Sequence, residues 1–353
     1  MSTAARLPLP RARHGCGRSE EEPAQTGTNC LVDTYGRVHD DLRISVTDRC
    51  NFRCVYCLDE EAEFLPRGEL LTYDEIVRIA SVARRMGVRT VRLTGGEPLQ
   101  RRGIVELVER LAALGFSDLA MTTNGVGFAR LAGALGRAGL RRVNISCDSL
   151  RPERFACIRR RGQMGPVLEA MDAAEAAGLE PVKVNVVLMA GVNDDEIEDF
   201  AAFARTTKRI VRFIEFMPLD AGGRWARASV VPSDHVLDRI GARWPLHPVI
   251  GSDASPAERY RFSDGEGEIG VVSSVTRPFC GTCNRLRLTA DGAIRNCLFS
   301  DDEVSVRDLI RGGGSDEGIA EILRRSVGAK LAGHGINEPA FLRPRRTMSM
   351  IGG

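Results

Sequence analysis

Six cysteines fall into two groups of three, and that grouping is the strongest chemical signal in the chain. Cys50-x3-Cys54-x2-Cys57 lies near the start and Cys280-x2-Cys283-x13-Cys297 near the end. Ten cysteines in 353 residues is far below the density of a disulfide-stapled secreted domain. The first thirty residues are Arg-rich, carry Glu20, Glu21 and Glu22, and contain no apolar run of a secretory signal. The expected compartment is a reducing one, the cytoplasm, where clustered thiols more often bind metal or do redox work. Cys16, Cys30, Cys147 and Cys157 have no partner spacing and read as thiols acting as small hydrophobes. Structural zinc closes a tetrahedral site with four ligands. Neither triplet has a fourth Cys or a His nearby, since His39 and His235 are distant in sequence and His334 lies far from Cys297. A 4Fe-4S cubane tolerates three thiolates and leaves one iron open to a small molecule. Two triplets therefore point to two clusters with open irons, and so to chemistry.

The elements that must position these thiols are legible as alternation. Leu42–Val46, Val91–Thr94, Leu119–Thr122, Val143–Ser146, Val182–Leu188 and Val211–Phe216 read as short strands. Helical stretches lie between them near 72–86, 104–114, 127–138, 166–177 and 194–206. Thr72 followed by Glu75 is a capping-box pattern, and Ile76, Ile79, Ala80 and Ala83 then recur at helical spacing. Such β-then-helix units argue for a parallel α/β architecture, either an open doubly wound sheet or a barrel. The first triplet follows a strand, which is where a parallel barrel keeps its active site. After about residue 220 the texture changes. Ser233–Trp244 looks helical, Ile269–Val272, Leu286–Thr289 and Ile294–Leu298 look like strands, and Ala290-Asp291-Gly292-Ala293 is a hairpin signal. This part is expected to form a smaller strand-containing layer carrying the second triplet, with closing helices near 304–311 and 316–329. The expected division is a flexible tail over 1–30, a barrel over 31–220 and an auxiliary-cluster region over 221–353.

Composition narrows the partners. Lys+Arg 49 against Asp+Glu 47 leaves +2, too balanced for nucleic acid or an anionic membrane as the main partner. No apolar run approaches the ~18 residues of a membrane span. Only Lys183, Lys208 and Lys330 are lysines, so Arg abundance by itself signals nothing, while a retained lysine can mark a task an arginine does not perform.

CxxxCxxC with Tyr56 before its third Cys resembles the signature of the radical S-adenosylmethionine (SAM) superfamily. Gly95-Gly96-Glu97-Pro98 resembles the "GGE" turn of the same enzymes. Alone that turn would be ordinary β-to-α punctuation; downstream of the triplet the functional reading is preferred. Cys280-Gly-Thr-Cys283-Asn-Arg285-Leu-Arg287, then Cys297-Leu-Phe, and the final Gly352-Gly353 resemble the C-terminal motifs of the GTP 3′,8-cyclase family of molybdenum cofactor biosynthesis. The match runs from about residue 30 to the end. The resemblance implies a partial (βα)6 TIM-like barrel with a C-terminal strand-containing extension. Arg285 and Arg287 share a face if extended, and paired guanidiniums suit phosphate. Arg43 and Arg92 on strands, and Lys183 in Val-Lys-Val-Asn-Val, are costly if buried without an anion.

Residue by residue, the resemblance implies that Cys50, Cys54 and Cys57 hold the SAM cluster and that Tyr56, Gly96, Ser146 and Met217 line the SAM site. It implies that Arg43, Arg92, Thr123, Lys183, Arg285 and Arg287 bind GTP. Cys280, Cys283 and Cys297 would hold the second cluster, and Arg285, Arg287, Gly352 and Gly353 would act in catalysis. Cys147 departs from the family, which commonly has an apolar residue there. The implied reaction begins when SAM cleavage yields a 5′-deoxyadenosyl radical that removes the ribose H3′ of GTP. C3′ then attacks C8, and an electron and a proton complete 3′,8-cyclo-7,8-dihydro-GTP. The implied partners are GTP, an external reductant and a downstream enzyme taking the product, with a homodimer allowed. Two rivals stand beside it: a radical SAM enzyme acting on a peptide or another nucleotide, and a non-catalytic zinc or electron-transfer protein.

Overall fold

The computed structural model describes residues 30–251 and 254–352. Residues 1–29 of the expected tail, Cys16 among them, and Gly353 lie outside the described residues. Alternation in the sequence becomes repeated βα units. Strand β1 (Asp41–Ser45) leads to α1 (Tyr73–Arg85), β2 (Thr90–Thr94) to α2 (Ile104–Ala112), and β3 (Asp118–Thr123) to α3 (Ala132–Arg137). Strand β4 (Arg142–Ser146) leads to α4 (Pro152–Arg159) and α5 (Gly165–Ala176), β5 (Lys183–Leu188) to α6 (Ile197–Thr207), and β6 (Ile210–Glu215) to α7 (Ser233–Arg243). The capping box of α1 is formed: Glu75 N donates to Thr72 Oγ1 at 3.2 Å and Thr72 N to Glu75 Oε2 at 2.7 Å. Its apolar stripe, Ile76, Ile79, Ala80 and Ala83, is buried, the tertiary packing on which helix stability mostly rests.

The remaining elements are β7 (Leu246–Pro248), β8 (Glu258–Phe262), β9 (Glu268–Val272), β10 (Arg285–Leu288), β11 (Ala293–Arg295), β12 (Glu303–Ser305), α8 (Val306–Arg311), α9 (Asp316–Gly328) and α10 (Met348–Ile351). Among the described residues all twelve strands belong to one sheet in the order β12-β11-β10-β1-β2-β3-β4-β5-β6-β9-β8-β7. Strands β1 to β6 are mutually parallel, β10 joins β1 in parallel and β9 joins β6 in parallel. The expected C-terminal strand-containing extension is present, and its strands extend the barrel sheet at both edges. The physical reason is that the outer strands of a six-stranded parallel sheet present unpaired N–H and C=O groups, which added strands satisfy.

One face of every barrel strand is apolar and packs under the helices, as with Leu42, Ile44, Val91, Leu93, Val143, Ile145, Val184 and Val186. The other face turns inward. A cavity of about 500 Å³ is lined from β1 to β6 as well as from β9 and β10, by residues two apart such as Asp41 and Arg43, Asn144 and Ser146, Lys183 and Asn185, and Arg285 and Arg287. A flat sheet cannot surround one cavity, so the strands curl into an open barrel whose interior positions alternate with its core positions. Among the described residues no helix is long and apolar enough to cross a membrane.

Candidate active site

The first triplet sits on the loop that leaves β1. Backbone contact with the β2 turn holds that loop: Gly96 N donates to Thr47 O at 2.7 Å and Glu97 N to Arg49 O at 2.8 Å. A Cβ on Gly96 would stand 2.4 Å from Asp48 O, and one on Gly95 2.6 Å from Thr47 O, so both glycines are needed for this approach. Glu97 lies buried behind them. Its carboxylate accepts from Thr123 Oγ1 at 2.7 Å, Asn124 N at 2.6 Å and Leu99 N at 3.0 Å. Burial pushes its pKa up to about 7 despite those donors. Thr123, expected at substrate, therefore also locks two strand ends together.

A second network grips the triplet from the β4 side. Arg159 is buried, donates from Nη1 to Cys54 Sγ at 3.1 Å, and has Nη2 2.8 Å from Asp148 Oδ2. Asp148 accepts in turn from Tyr56 Oη at 2.8 Å and Val187 N at 2.9 Å. Ser146 and Met217 line the same cavity mouth as Tyr56 and Gly96. Glu215 closes the β6 side, accepting from Ser233 N, Val275 N and Thr276 N at 3.1, 2.7 and 2.8 Å.

The cavity floor is cationic by register. Arg43 pairs across with Arg92 on β2 and with Arg287 on β10, and in-register residues of parallel strands point the same way. Three guanidiniums therefore stand abreast. Arg43 and Arg92 each carry a buried Nε with no hydrogen-bond partner. Burial, then the charge of Arg287, lowers the pKa of Arg43. Burial, then Arg285, lowers that of Arg287 to about 10. Burial, then Arg212, lowers Lys183 to about 8, and burial, then Arg92, lowers Arg212 to about 9. These shifts come first from burial and then from neighbouring cations, and a polyanion bound in the cavity would oppose both.

The second triplet lies at the other side of the same cavity. Cys280 and Cys283 flank a short turn before β10, and Cys297 follows β11. Lys330 Nζ donates to Cys283 Sγ at 3.3 Å. Though burial raises the Cys283 pKa, Arg285 and Lys330 outweigh it and bring the thiol down to about 6. His334, far from Cys297 in sequence, also lines this cavity and gives its backbone N–H to Cys280. The chain terminus threads between the triplets. Gly352 has φ +81°, and a Cβ there would meet Thr94 Oγ1 at 2.5 Å. Its carbonyl accepts from Arg287 Nη1 at 2.8 Å.

Every sequence-expected ligand, SAM-site and GTP-site residue thus lines one cavity, and Gly352 touches Arg287 beside it. Sequence reasoning missed Glu97 as an individual, Asp148, Arg159, Arg212 and the contact of Lys330. Arg212 carried the same signal as Lys183, a cation within an apolar strand. Arg159 carried none, since it ends α4, a helix whose Pro-Glu-Arg-Phe-Ala-Cys-Ile-Arg sequence has no clear apolar stripe.

Residues 44–204 match the family model of the radical SAM superfamily and residues 209–336 that of Molybdenum Cofactor Synthesis C. A GTP 3′,8-cyclase of Streptomyces coelicolor is 48% identical over 336 residues, 94% of this chain and 98% of that protein. The chain belongs to the GTP 3′,8-cyclase family. Another family member, from Thermodesulfovibrio yellowstonii, is 45% identical over 92% of this chain and 100% of its own length. Crystalline SuiB of Streptococcus suis bound to S-adenosylmethionine shares the fold, with a TM-score of 0.58 at 13% identity over 82% of this chain and 69% of that one.

Membership of this family brings one 4Fe-4S cluster and SAM, and the residues present fit them. Cys50, Cys54 and Cys57 are not disulfide-bonded and share one cavity wall. Among the described residues no three His, Cys, Asp or Glu side chains are arranged to hold a single metal ion. Three free thiols on one wall of the cavity are the donor chemistry that a 4Fe-4S cluster takes in this GTP 3′,8-cyclase family member.

Proposed function

We propose that this chain converts GTP to (8S)-3′,8-cyclo-7,8-dihydroguanosine 5′-triphosphate, the first step of molybdenum cofactor biosynthesis. The observation that carries this reading is the row Arg287–Arg43–Arg92, set abreast by strand register, inside a barrel with a cysteine triplet on either side. When bound, the first cluster and SAM supply the 5′-deoxyadenosyl radical that takes the ribose H3′.

The chain's own residues do the rest. Cys50, Cys54 and Cys57 hold the first cluster, and Tyr56, Gly96, Ser146 and Met217 line the SAM site. Arg43, Arg92, Lys183, Arg285 and Arg287 bind GTP with Thr123, and Arg212 extends the cationic floor. Cys280, Cys283 and Cys297, on the other side of the cavity, would hold a second 4Fe-4S cluster. Held this way, C3′ and C8 meet without a search, and such positioning contributes several kcal/mol to a barrier reduction. The Gly352 carbonyl fixes the Arg287 guanidinium, so the tail orients a group that binds substrate. Residues 31–220 act as the barrel and 221–353 as the auxiliary-cluster region. An external reductant and an enzyme that accepts the cyclised nucleotide complete the reaction sequence.

The test is anaerobic incubation of reconstituted protein with SAM and a strong reductant, with and without GTP. GTP-dependent 5′-deoxyadenosine with a matching amount of a GTP isomer is expected. SAM cleavage indifferent to GTP would remove GTP as substrate and keep the superfamily chemistry.

A further inference from the structure

We infer that Lys330 is a positioning residue for the second cysteine triplet, donating an ammonium N–H to the Cys283 thiolate and so making the group held there easier to reduce. The inference rests on the reading that this triplet holds a 4Fe-4S cluster. Lys330 is 4% exposed. Its Nζ lies 3.3 Å from Cys283 Sγ and 3.0 Å from the carbonyl oxygen of Arg285. Among the described residues no carboxylate forms an ion pair with it; burial lowers its pKa, Cys283 and Cys297 oppose that shift, and the charged groups facing it include Arg285 and His39. The ammonium is thus buried, and the thiolate is its natural counter-charge.

Its place in the fold is rigid. Lys330 follows α9, whose Ile319, Leu323 and Val327 are buried in the core, and Lys330 N donates to Val327 O at 3.1 Å. The three cysteines are not treated alike. Cys297 accepts from the amide of Phe299 at 3.5 Å, and Cys280 receives the backbone N–H of His334. Cys283 receives the Lys330 side chain and hydrogen bonds from Arg285. Hydrogen bonds and positive charge at cluster sulfurs raise the reduction potential. The same ammonium also grips Arg285 O, so the cysteine and the strand bearing Arg285 and Arg287 are held by one group.

The choice of lysine is physical. An ammonium is compact and offers three donors in a tetrahedral fan, enough for a sulfur and a carbonyl that lie in different directions. A guanidinium is planar and wider. In a chain where only three of 49 basic residues are lysines, this one sits where that difference matters.

The experiment compares wild type with K330M, K330Q and K330R in full-length chains, each also carrying C50S/C54S/C57S so that only the second cluster forms. Iron is counted, and the cluster is titrated potentiometrically under electron paramagnetic resonance. K330M and K330Q are expected to be at least tenfold harder to reduce, a downward shift of about 59 mV for one electron. K330R, which keeps the charge and loses the compact donor fan, is expected to recover only part of that shift. Full iron with a change under about twofold in K330M and K330Q would overturn the inference alone. Loss of iron in all three variants would also overturn it, by making Lys330 a scaffold residue. A parent chain that takes up no second cluster would overturn the reading beneath it as well.

Discussion

The two cysteine triplets share a ligand set and differ in the field around it. Near the first, the cation that touches a thiol, Arg159, is already compensated by Asp148 at 2.8 Å. Its guanidinium lies 5.5 Å from the Phe52 ring centroid, 5.6 Å from Phe155 and 5.9 Å from Tyr56. The surroundings are aromatic, and the cation is paired. Burial accordingly pushes the Cys50 thiol up to about 12 and raises Cys54 and Cys57 as well. Near the second, Arg285 and Lys330 face Cys283 without a carboxylate between them, and the thiol falls to about 6 although burial opposes it. A neutral, apolar setting resists added negative charge and a cationic one welcomes it. On the function proposed above, the difference suits a strongly reducing cluster at the first triplet and an anchoring one at the second.

The largest test separates the two sites by function. Cys54→Ser is expected to lose about half the iron, one of two clusters, and all 5′-deoxyadenosine formation. Cys283→Ser is expected to lose a similar share of iron yet still cleave SAM, without forming the cyclised nucleotide. Loss of SAM cleavage in both variants would erase the proposed division of labour.

The compensated pair at the first site gives the next effect. Arg159→Met leaves Asp148 buried and uncompensated, which costs about 3–5 kcal/mol in denaturant unfolding. The double variant R159M/D148N is expected to cost less than the sum of the singles. Strict additivity would show that the two groups do not act as a pair.

The cationic side makes its own prediction through His39. Burial, then the charge of Lys330, lowers its pKa to about 4 from the usual 6.5. The unfolded chain therefore binds a proton between those values that the folded chain refuses. Stability is full above pH 6.5 and declines as pH falls to 4, by up to about 3 kcal/mol. Urea unfolding at pH 7 and pH 5 checks this, and a His39→Asn variant that keeps the same pH slope would contradict it.

The smallest expected effect concerns the tail that joins the two regions. Ser349 gives its backbone N–H to Cys57, while Gly352 meets Arg287. Gly352→Ala forces a Cβ onto Thr94 and Ser45 and displaces that contact. A loss of cyclisation on the order of 100-fold, about 2.7 kcal/mol, is expected from such misplacement, with iron content unchanged. Wild-type turnover in this variant would free the tail of any role.

Much of this was written locally in the chain. The thiol triplets, the capping box at Thr72 and Glu75, and the six alternating strands and helices are patterns of near neighbours, and near neighbours are what a sequence displays directly. Arg43, Arg92 and Lys183 were also conspicuous, because a cation on an apolar strand needs an anion. Strand β8, Glu-Arg-Tyr-Arg-Phe, and strands β7 and β12 escaped notice because short, charged or edge strands lack the apolar alternation of the barrel. What stayed hidden were meetings between distant segments. Arg287 stands beside Arg43 only because β10 pairs in parallel with the free edge of β1. Arg159 reaches Cys54 across 105 residues and Lys330 reaches Cys283 across 47. Residue type and spacing announce which groups can carry the chemistry. Register and burial, which depend on the packing of the whole chain, set the charge each group faces and the neighbour it touches.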